Sequence, residues 1–274
     1  MHWFNHSGSS VSSVIAALLL AAACSADAAV TTIARYPLGE LDSGASAGTT
    51  AANPTTASVG AVNLARVGTP TYSAQVVPRP TPLSVAFNGS TDGYRAATTL
   101  TAVTDNFGVE AWVRPTSATG GATIAYNGNT STSGWGLFRN GSSYAILFGG
   151  NTLTSAPGSV VLNQWTHLAL VRSAGVTTLY KNGVAITSTP IGPNVPAGAF
   201  AVGINPTVTQ EFFAGEIDEV RVFTFAAGQF ATSDLLTGLS YTPAIPALSW
   251  QAMLAMLFAV VGLGAAFLRQ RQRQ

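Results

Sequence analysis

The tightest constraint on this chain is the dipeptide Asn182-Gly183, set between Val176-Thr177-Thr178-Leu179-Tyr180-Lys181 and Val184-Ala185-Ile186. A type I′ turn needs positive φ at both central positions. Asn-Gly supplies them, so the stretch predicts a two-residue β-hairpin. The same punctuation recurs along the sequence. Residues 83–87 alternate and stop at Asn88-Gly89, residues 123–126 stop at Asn127-Gly128, residues 136–138 stop before Asn140-Gly141, and residues 144–148 stop at Gly149-Gly150. Residues 107–113 also alternate and stop at Arg114-Pro115. Alternation puts Phe107, Val109, Ala111 and Val113 on one face and Glu110, Trp112 and Arg114 on the other. Residues 164–171 are a natural partner for the first arm of the hairpin. Only residues 232–238 could make a turn or two of helix, with Thr232 or Ser233 as cap. Short, regularly spaced strands with no helical period predict an all-β fold, a two-sheet antiparallel jelly-roll sandwich.

Charge narrows the partners. Charged residues are only 8% of the sequence and the formal net charge is +1. Setting aside Asp27 and the three arginines of the C-terminal tail leaves nine basic residues against ten acidic ones. Such a balance gives no electrostatic basis for binding nucleic acid. At the N-terminus, residues 14–23 form an apolar core and Ala26-Asp27-Ala28 has the small-x-small pattern, which predicts a signal peptide over residues 1–28. His2 and His6 stand before that core where basic residues are usual. The single cysteine, Cys24, falls inside it, so the exported part must rely on its core and not on disulfides. Residues 41–60 are almost wholly Gly, Ala, Ser, Thr, Asn and Pro, and predict a long surface loop or a flexible one.

The C-terminus addresses the chain to a membrane. Residues 252–268 carry no charge and would span roughly 25 Å as a helix, enough for a transmembrane segment. Arg269, Arg271 and Arg273 follow, which puts the tail in the cytoplasm and the domain on the other side. Before the run stand Ile245, Pro246, Leu248, Ser249 and Trp250. A short motif, a helix and a terminal basic cluster in that order resemble the sorting signals that exosortase-type membrane peptidases handle in Gram-negative bacteria. The motif of the class reads I-P-T-L-S-E-W; here Ala247 replaces the Thr and the Glu is absent. The resemblance implies a sorting region over residues 241–274 and an exosortase-type processing peptidase as partner. It also implies anchoring in the cytoplasmic membrane facing the periplasm, with release to the surface or matrix after processing.

Between the two signals, six motifs occur in a familiar order: Tyr36-Pro37-Leu38, Val85-Ala86-Phe87-Asn88-Gly89, Val109-Glu110-Ala111-Trp112-Val113, Gln164-Trp165-Thr166-His167-Leu168-Ala169, Leu179-Tyr180-Lys181-Asn182-Gly183 and residues 213–222. This series resembles the laminin-G-like, or concanavalin-A-like, jelly-roll domains, and it covers residues 29–240. The resemblance implies two packed antiparallel sheets, one of which often forms a concave binding face. It also implies a structural Ca²⁺ held by Glu40 or Asp42 together with Asp218, the remaining oxygens of a six-to-eight set coming from carbonyls and water. The alternative has Asp218 bonding backbone groups and Glu219 pairing with Arg221.

Retaining glucanases of this superfold carry Glu-x-Asp-x-Glu on one strand. Glu216 and Asp218 match, but Val220 stands where the second catalytic acid is needed, and alternation sends Glu219 to the other face. His167 is the only histidine outside the signal peptide, with no second ligand for zinc and no neighbouring acid for a triad, so it reads as structural. Trp112 and Trp165 lie within strand motifs and read as packing residues. Trp135, framed by Ser131, Thr132, Ser133, Gly134 and Gly136, reads as a loop residue able to stack on a sugar, with Tyr126, Asn127 and Asn129 beside it. The expectation is an exported, envelope-anchored, non-catalytic binding or adhesion module for a glycan or matrix polymer. The alternatives are a structural surface or matrix protein without a small ligand, and a glycoside hydrolase whose acids come from separate strands.

Overall fold

A computed structural model describes residues 30–77 and 82–238. The predicted signal peptide, transmembrane helix and sorting motif lie outside these residues. The hairpin that anchors the sequence reading forms as expected: Asn182 and Gly183 take φ of 50° and 79° between β12 (Val176–Lys181) and β13 (Val184–Thr189). A second tight turn, with φ of 50° at Ala174 and 80° at Gly175, joins β12 to β11 (Thr166–Ser173).

The other strands are β1 (Val30–Tyr36), β2 (Ala65–Val67), β3 (Thr71–Ser73), β4 (Ser84–Asn88), β5 (Gly93–Arg95), β6 (Phe107–Pro115), β7 (Gly121–Asn129), β8 (Ser133–Asn140), β9 (Ser143–Phe148), β10 (Thr152–Ala156), β14 (Phe200–Val202) and β15 (Ala214–Phe225). They form a two-sheet antiparallel sandwich. The eight-stranded sheet runs β13-β12-β11-β6-β15-β4-β3, with β1 also pairing β15. The seven-stranded sheet runs β10-β9-β8-β7-β14-β5-β2. Alternation explains the core. Val109, Ala111, Leu168, Leu170 and Val222 of the larger sheet meet Ile124, Trp135, Leu137, Ile146 and Phe200 of the smaller one.

Two local readings change and a third is narrowed. Asn127-Gly128 is not a turn, because β7 runs through it and the reversal comes at residues 130–132. Gly128 has φ of 126° and backs onto Gly134; a Cβ there would sit 2.9 Å from the Gly134 Cα. Residues 41–60 form an ordered surface loop held by polar bonds around Asp42, so the apolar surface it lacks is not what fixes it. The expected helical turn is a single 3₁₀ turn, Thr232–Asp234, whose N-cap is Ala231 and not Thr232 or Ser233.

That turn belongs to a strap, residues 226–238, lying across the outer face of the eight-stranded sheet. Phe230 and Leu235 pack on Ala169, Val171, Phe223 and Phe225. Trp112 Nε1 donates to the Leu236 carbonyl at 3.0 Å. Among the described residues no helix is long and apolar enough to cross a membrane.

Candidate functional site

Because the strap covers one outer face, the outer face of the seven-stranded sheet is the one left for a ligand. Register sets its floor. Ala65, Arg95, Ala201, Tyr126, Gly136, Leu147 and Leu153 lie side by side across seven strands. Their chain neighbours Tyr94, Phe200, Trp135, Leu137, Ile146 and Phe148 point into the core. Small side chains at Ala65, Ala201 and Gly136 keep this floor low.

The segment 203–213 stands over it. The Thr123 N–H donates to the Glu211 carbonyl at 2.8 Å, while the Glu211 Oε2 accepts from Thr123 Oγ1 at 2.9 Å and from Asn205 Nδ2 at 3.0 Å. Asn205 Nδ2 also reaches Thr130 Oγ1 at 2.6 Å, tying the segment to the tip of the β7–β8 hairpin. Asn205 Oδ1 accepts from the Thr207 N–H and hydroxyl, and the Thr207 and Thr209 hydroxyls lie 3.0 Å apart at the surface. Glu211 is half-buried, and its Oε1 has only a 3.5 Å contact with Thr130. Arg95 Nε donates to the Pro206 carbonyl at 2.7 Å, and among the described residues Arg95 forms no ion pair. Val208 and Glu211 hold φ of 64° and 59°, values unfavourable without glycine, so the segment is kept by its bonds and not by backbone preference. Buried Asn205 braces the segment from within, and a half-buried carboxylate, the exposed hydroxyls of Thr207 and Thr209 and the half-buried Arg95 guanidinium stand at its surface, a donor and acceptor set suited to a polyhydroxyl ligand.

The sequence-predicted contacts are elsewhere. Trp135 is fully buried in β8, stacked on Phe107 at 4.2 Å, with Nε1 donating to the Val103 carbonyl. The period of two that carries Leu137 inward carries Trp135 inward as well, and this overrides the small polar residues around it. Tyr126 is buried under the Glu211 segment, its hydroxyl donating to the Ser133 carbonyl and accepting from the Gly149 N–H. Burial first, then the Glu211 charge, push its phenol far above the ordinary value. Asn127 is buried and bonds both backbone groups offered by Leu100 and Thr101. Asn129 shapes the hairpin tip by accepting from the Ser131 N–H. Trp135, Tyr126 and Asn127 present no contact surface, and Asn129 is half-exposed at the tip. The run Asn205-Pro206-Thr207-Val208-Thr209-Gln210-Glu211 was visible as a polar stretch between Ile204 and Phe212, but the loop that folds it onto the sheet was not.

The expected calcium residues also separate. Asp42 is used by Thr55 Oγ1, the Thr56 N–H and the Tyr72 hydroxyl, so it is not interchangeable with Glu40. Asp218 is fully buried and accepts from the Glu219 N–H. A bulge gives Glu219 φ of 52° and takes it out of alternation. It pairs with Arg35 at 2.7 Å, not with Arg221. Glu40 is the remaining candidate ligand. Both its oxygens are buried and face the N–H groups of Glu40 and Leu83 short of hydrogen-bond geometry. Burial, with the Glu219 charge adding to it, pushes its carboxyl up to about 7. Among the described residues no three acids or histidines form a metal-holding group. A cation would therefore rest on Glu40 and on backbone or water oxygens.

His167 has the acidic neighbour that linear reading missed. Its Nε2 lies 2.9 Å from Glu110 Oε2, which also accepts from the Leu236 N–H at 2.9 Å, while Arg221 Nε binds Oε1. Burial opposes ionisation of Glu110, but the His167 hydrogen bond and the Arg221 charge outweigh it and hold the carboxyl below its usual value. Glu110 and His167 are fully buried, and Glu216 is paired with Arg114 at 3.0 Å. This constellation fastens the strap.

Residues 88–229 match the family described as the concanavalin A-like lectin/glucanases superfamily. Among solved structures, domain 4 of AbnA, a GH43 extracellular arabinanase from Geobacillus stearothermophilus in complex with arabinotriose, is 22% identical, with a TM-score of 0.53 over 75% of this chain and 98% of that one. A putative carbohydrate-binding protein from Bacteroides ovatus is 18% identical, with a TM-score of 0.46 over 65% of this chain and 55% of that one. At such identities the likeness is one of fold. Among curated proteins there is no match.

Proposed function

The chain belongs to the concanavalin A-like lectin/glucanases superfamily, and from that premise we propose that it is an exported, membrane-anchored, non-catalytic module that binds a glycan or matrix polymer on the outer face of its seven-stranded sheet. The observation that carries this is the half-buried Glu211 carboxylate, set with the exposed Thr207 and Thr209 hydroxyls and with Arg95 on the outer side of the seven-stranded sheet, while the strap packs on the opposite face. An oligosaccharide has a precedent in the arabinanase domain of the same fold, which was solved with arabinotriose. Catalysis is disfavoured because Glu216 is held by Arg114, Val220 is in the core, and Glu110 has no exposed oxygen.

Binding of the full chain, purified in mild detergent, to a panel of polysaccharides and a glycan array tests the reading. Saturable binding that falls roughly tenfold or more in Glu211→Gln and Arg95→Ala, at unchanged melting temperature, is the expected result. A blank panel returns the protein to the structural-matrix alternative. Release of reducing ends that Glu211→Gln abolishes would make it a hydrolase.

Export and anchoring rest on the sequence at the two termini. Mass spectrometry of the mature protein should find an N-terminus at Ala29 and a C-terminus near Pro246. An intact Gln274 would leave a plain anchor without exosortase-type processing. The expected calcium site, Glu40 or Asp42 together with Asp218, is not assembled among the described residues; an unchanged melting temperature on adding EDTA would remove it from the reading.

A further inference from the structure

The two lateral sides of the sandwich are finished differently. On one side the edge strands are sealed. The Tyr72 N–H of β3 donates to the Thr49 carbonyl, the Tyr72 carbonyl accepts from the Gly48 N–H, and the Arg66 N–H of β2 donates to Asn53 Oδ1. The loop 41–60 thus occupies the groups that an edge would otherwise offer.

On the other side lie the edges β10 and β13, running beside each other. β13 protects itself with a bulge at Ile186, which breaks its register with β12. β10 has no such device. Its five residues, Thr152 to Ala156, pair with β9 in unbroken register from Phe148 to Tyr144. Among the described residues its further bonds are the Ala156 carbonyl accepting from Ser159 Oγ and the Ser155 hydroxyl accepting from Asn140 Nδ2 at 3.5 Å, neither of which covers the edge with a second strand or loop. The strand holds no proline and no charge, and Leu153 is 42% exposed.

The surroundings are as neutral as the strand. Residues 140–171 and 182–210 contain no Asp, Glu, Lys or Arg. Of the two cations between them, Arg172 donates to the Thr177 hydroxyl and the Ile191 carbonyl, and Lys181 turns its Nζ onto the Ser159 carbonyl at 2.6 Å. Val161, Leu162, Ile191 and Val195 are exposed in the segments that follow the two edges. Natural edges usually carry a lysine, a proline, a bulge or a covering loop against strand addition. Here three of the four edges do, and β10 does not.

We propose that β10 is a self-association edge, pairing antiparallel with β10 of a second copy of the chain. The occupant follows from charge and symmetry. Two antiparallel copies of one strand are related by a two-fold axis, so Thr154 lies at the centre and Leu153 faces Ser155 of the partner. Such a pairing brings no like charges face to face, because the strand itself is uncharged and Lys181 beside it is turned onto the Ser159 carbonyl. Leu153 and Ser155 lie on the same outer face as Gly136 and Leu147, so the pairing makes one continuous sheet of the two seven-stranded sheets. Two Glu211 segments then stand on a single surface, the arrangement a repetitive polymer needs for multivalent binding. The pairing does not depend on what that surface binds.

Sedimentation velocity of the purified full chain in mild detergent tests this, beside Leu153→Lys/Ser155→Lys and a control, Ala185→Lys on β13. The expected result is a concentration-dependent dimer that the double β10 variant weakens roughly tenfold or more while the control leaves it intact. Melting temperatures checked in parallel establish that the variants are folded, and Ser155→Lys alone serves if the double variant is not. A monomer at all concentrations overturns the proposal. So does a dimer that survives the β10 lysines or is broken by Ala185→Lys instead.

Discussion

Trp135 and Glu40 show how a residue's role depends on where its strand turns it. Trp135 stands among serine, threonine and glycine, yet it is a core residue of β8 stacked on Phe107. Trp135→Ala should therefore cost about 3–5 kcal/mol in urea denaturation. Lost glycan binding at undiminished stability would restore it as a ligand contact. Glu40 makes a pH-dependent prediction. The unfolded chain releases this proton near the ordinary carboxylate value, whereas the folded protein keeps it until about pH 7. Over that window the native state binds more protons, so stability should fall as pH rises from about 4.5 to 7. Glu40→Gln should flatten that part of a melting-temperature profile. A profile unchanged by the substitution would assign the slope to another group.

At the scale of elements the strap and its anchor belong together. Glu110 joins β11 through His167, β15 through Arg221 and the strap through the Leu236 N–H. Removing its charge leaves buried Arg221 without its carboxylate, so Glu110→Gln should cost about 3–5 kcal/mol. It should also make residues 226–238 sensitive to limited proteolysis before the rest of the domain. The Glu110 carboxyl is held below its usual value, so its contribution is complete above the unfolded-state value and is lost as pH falls through the folded one. Strap protection should accordingly fail first in acid, and equal protection at neutral and acid pH would contradict the assignment. The cross-strand register that builds this anchor, Ala169 against Glu110 and Arg221 against Glu110, was not readable from sequence. The three residues are separated along the chain, and only strand order makes them neighbours. The hairpin at Asn182-Gly183 was readable because its cause is local.

For the whole molecule, a sequence with one cysteine cannot form an intramolecular disulfide, so thermal unfolding should be the same with and without reductant. A shift on reduction would point to a retained signal segment cross-linked between copies through Cys24. The sequence by itself determined the fold class, the hairpin, the inward face of β6 and the placing of Val220 where the one-strand glucanase pattern has its second acid. The last three rest on residues within one turn or one strand, where alternation and φ preference act directly, and the fold class rests on such local signals repeated along the chain. Tertiary structure decided which outer face is covered, which edge is open and where the polar set around Glu211 stands. The physical reason is that alternation gives every strand two faces without saying what lies against either. A loop's polar residues likewise become a site only when strand order decides which sheet they fold over.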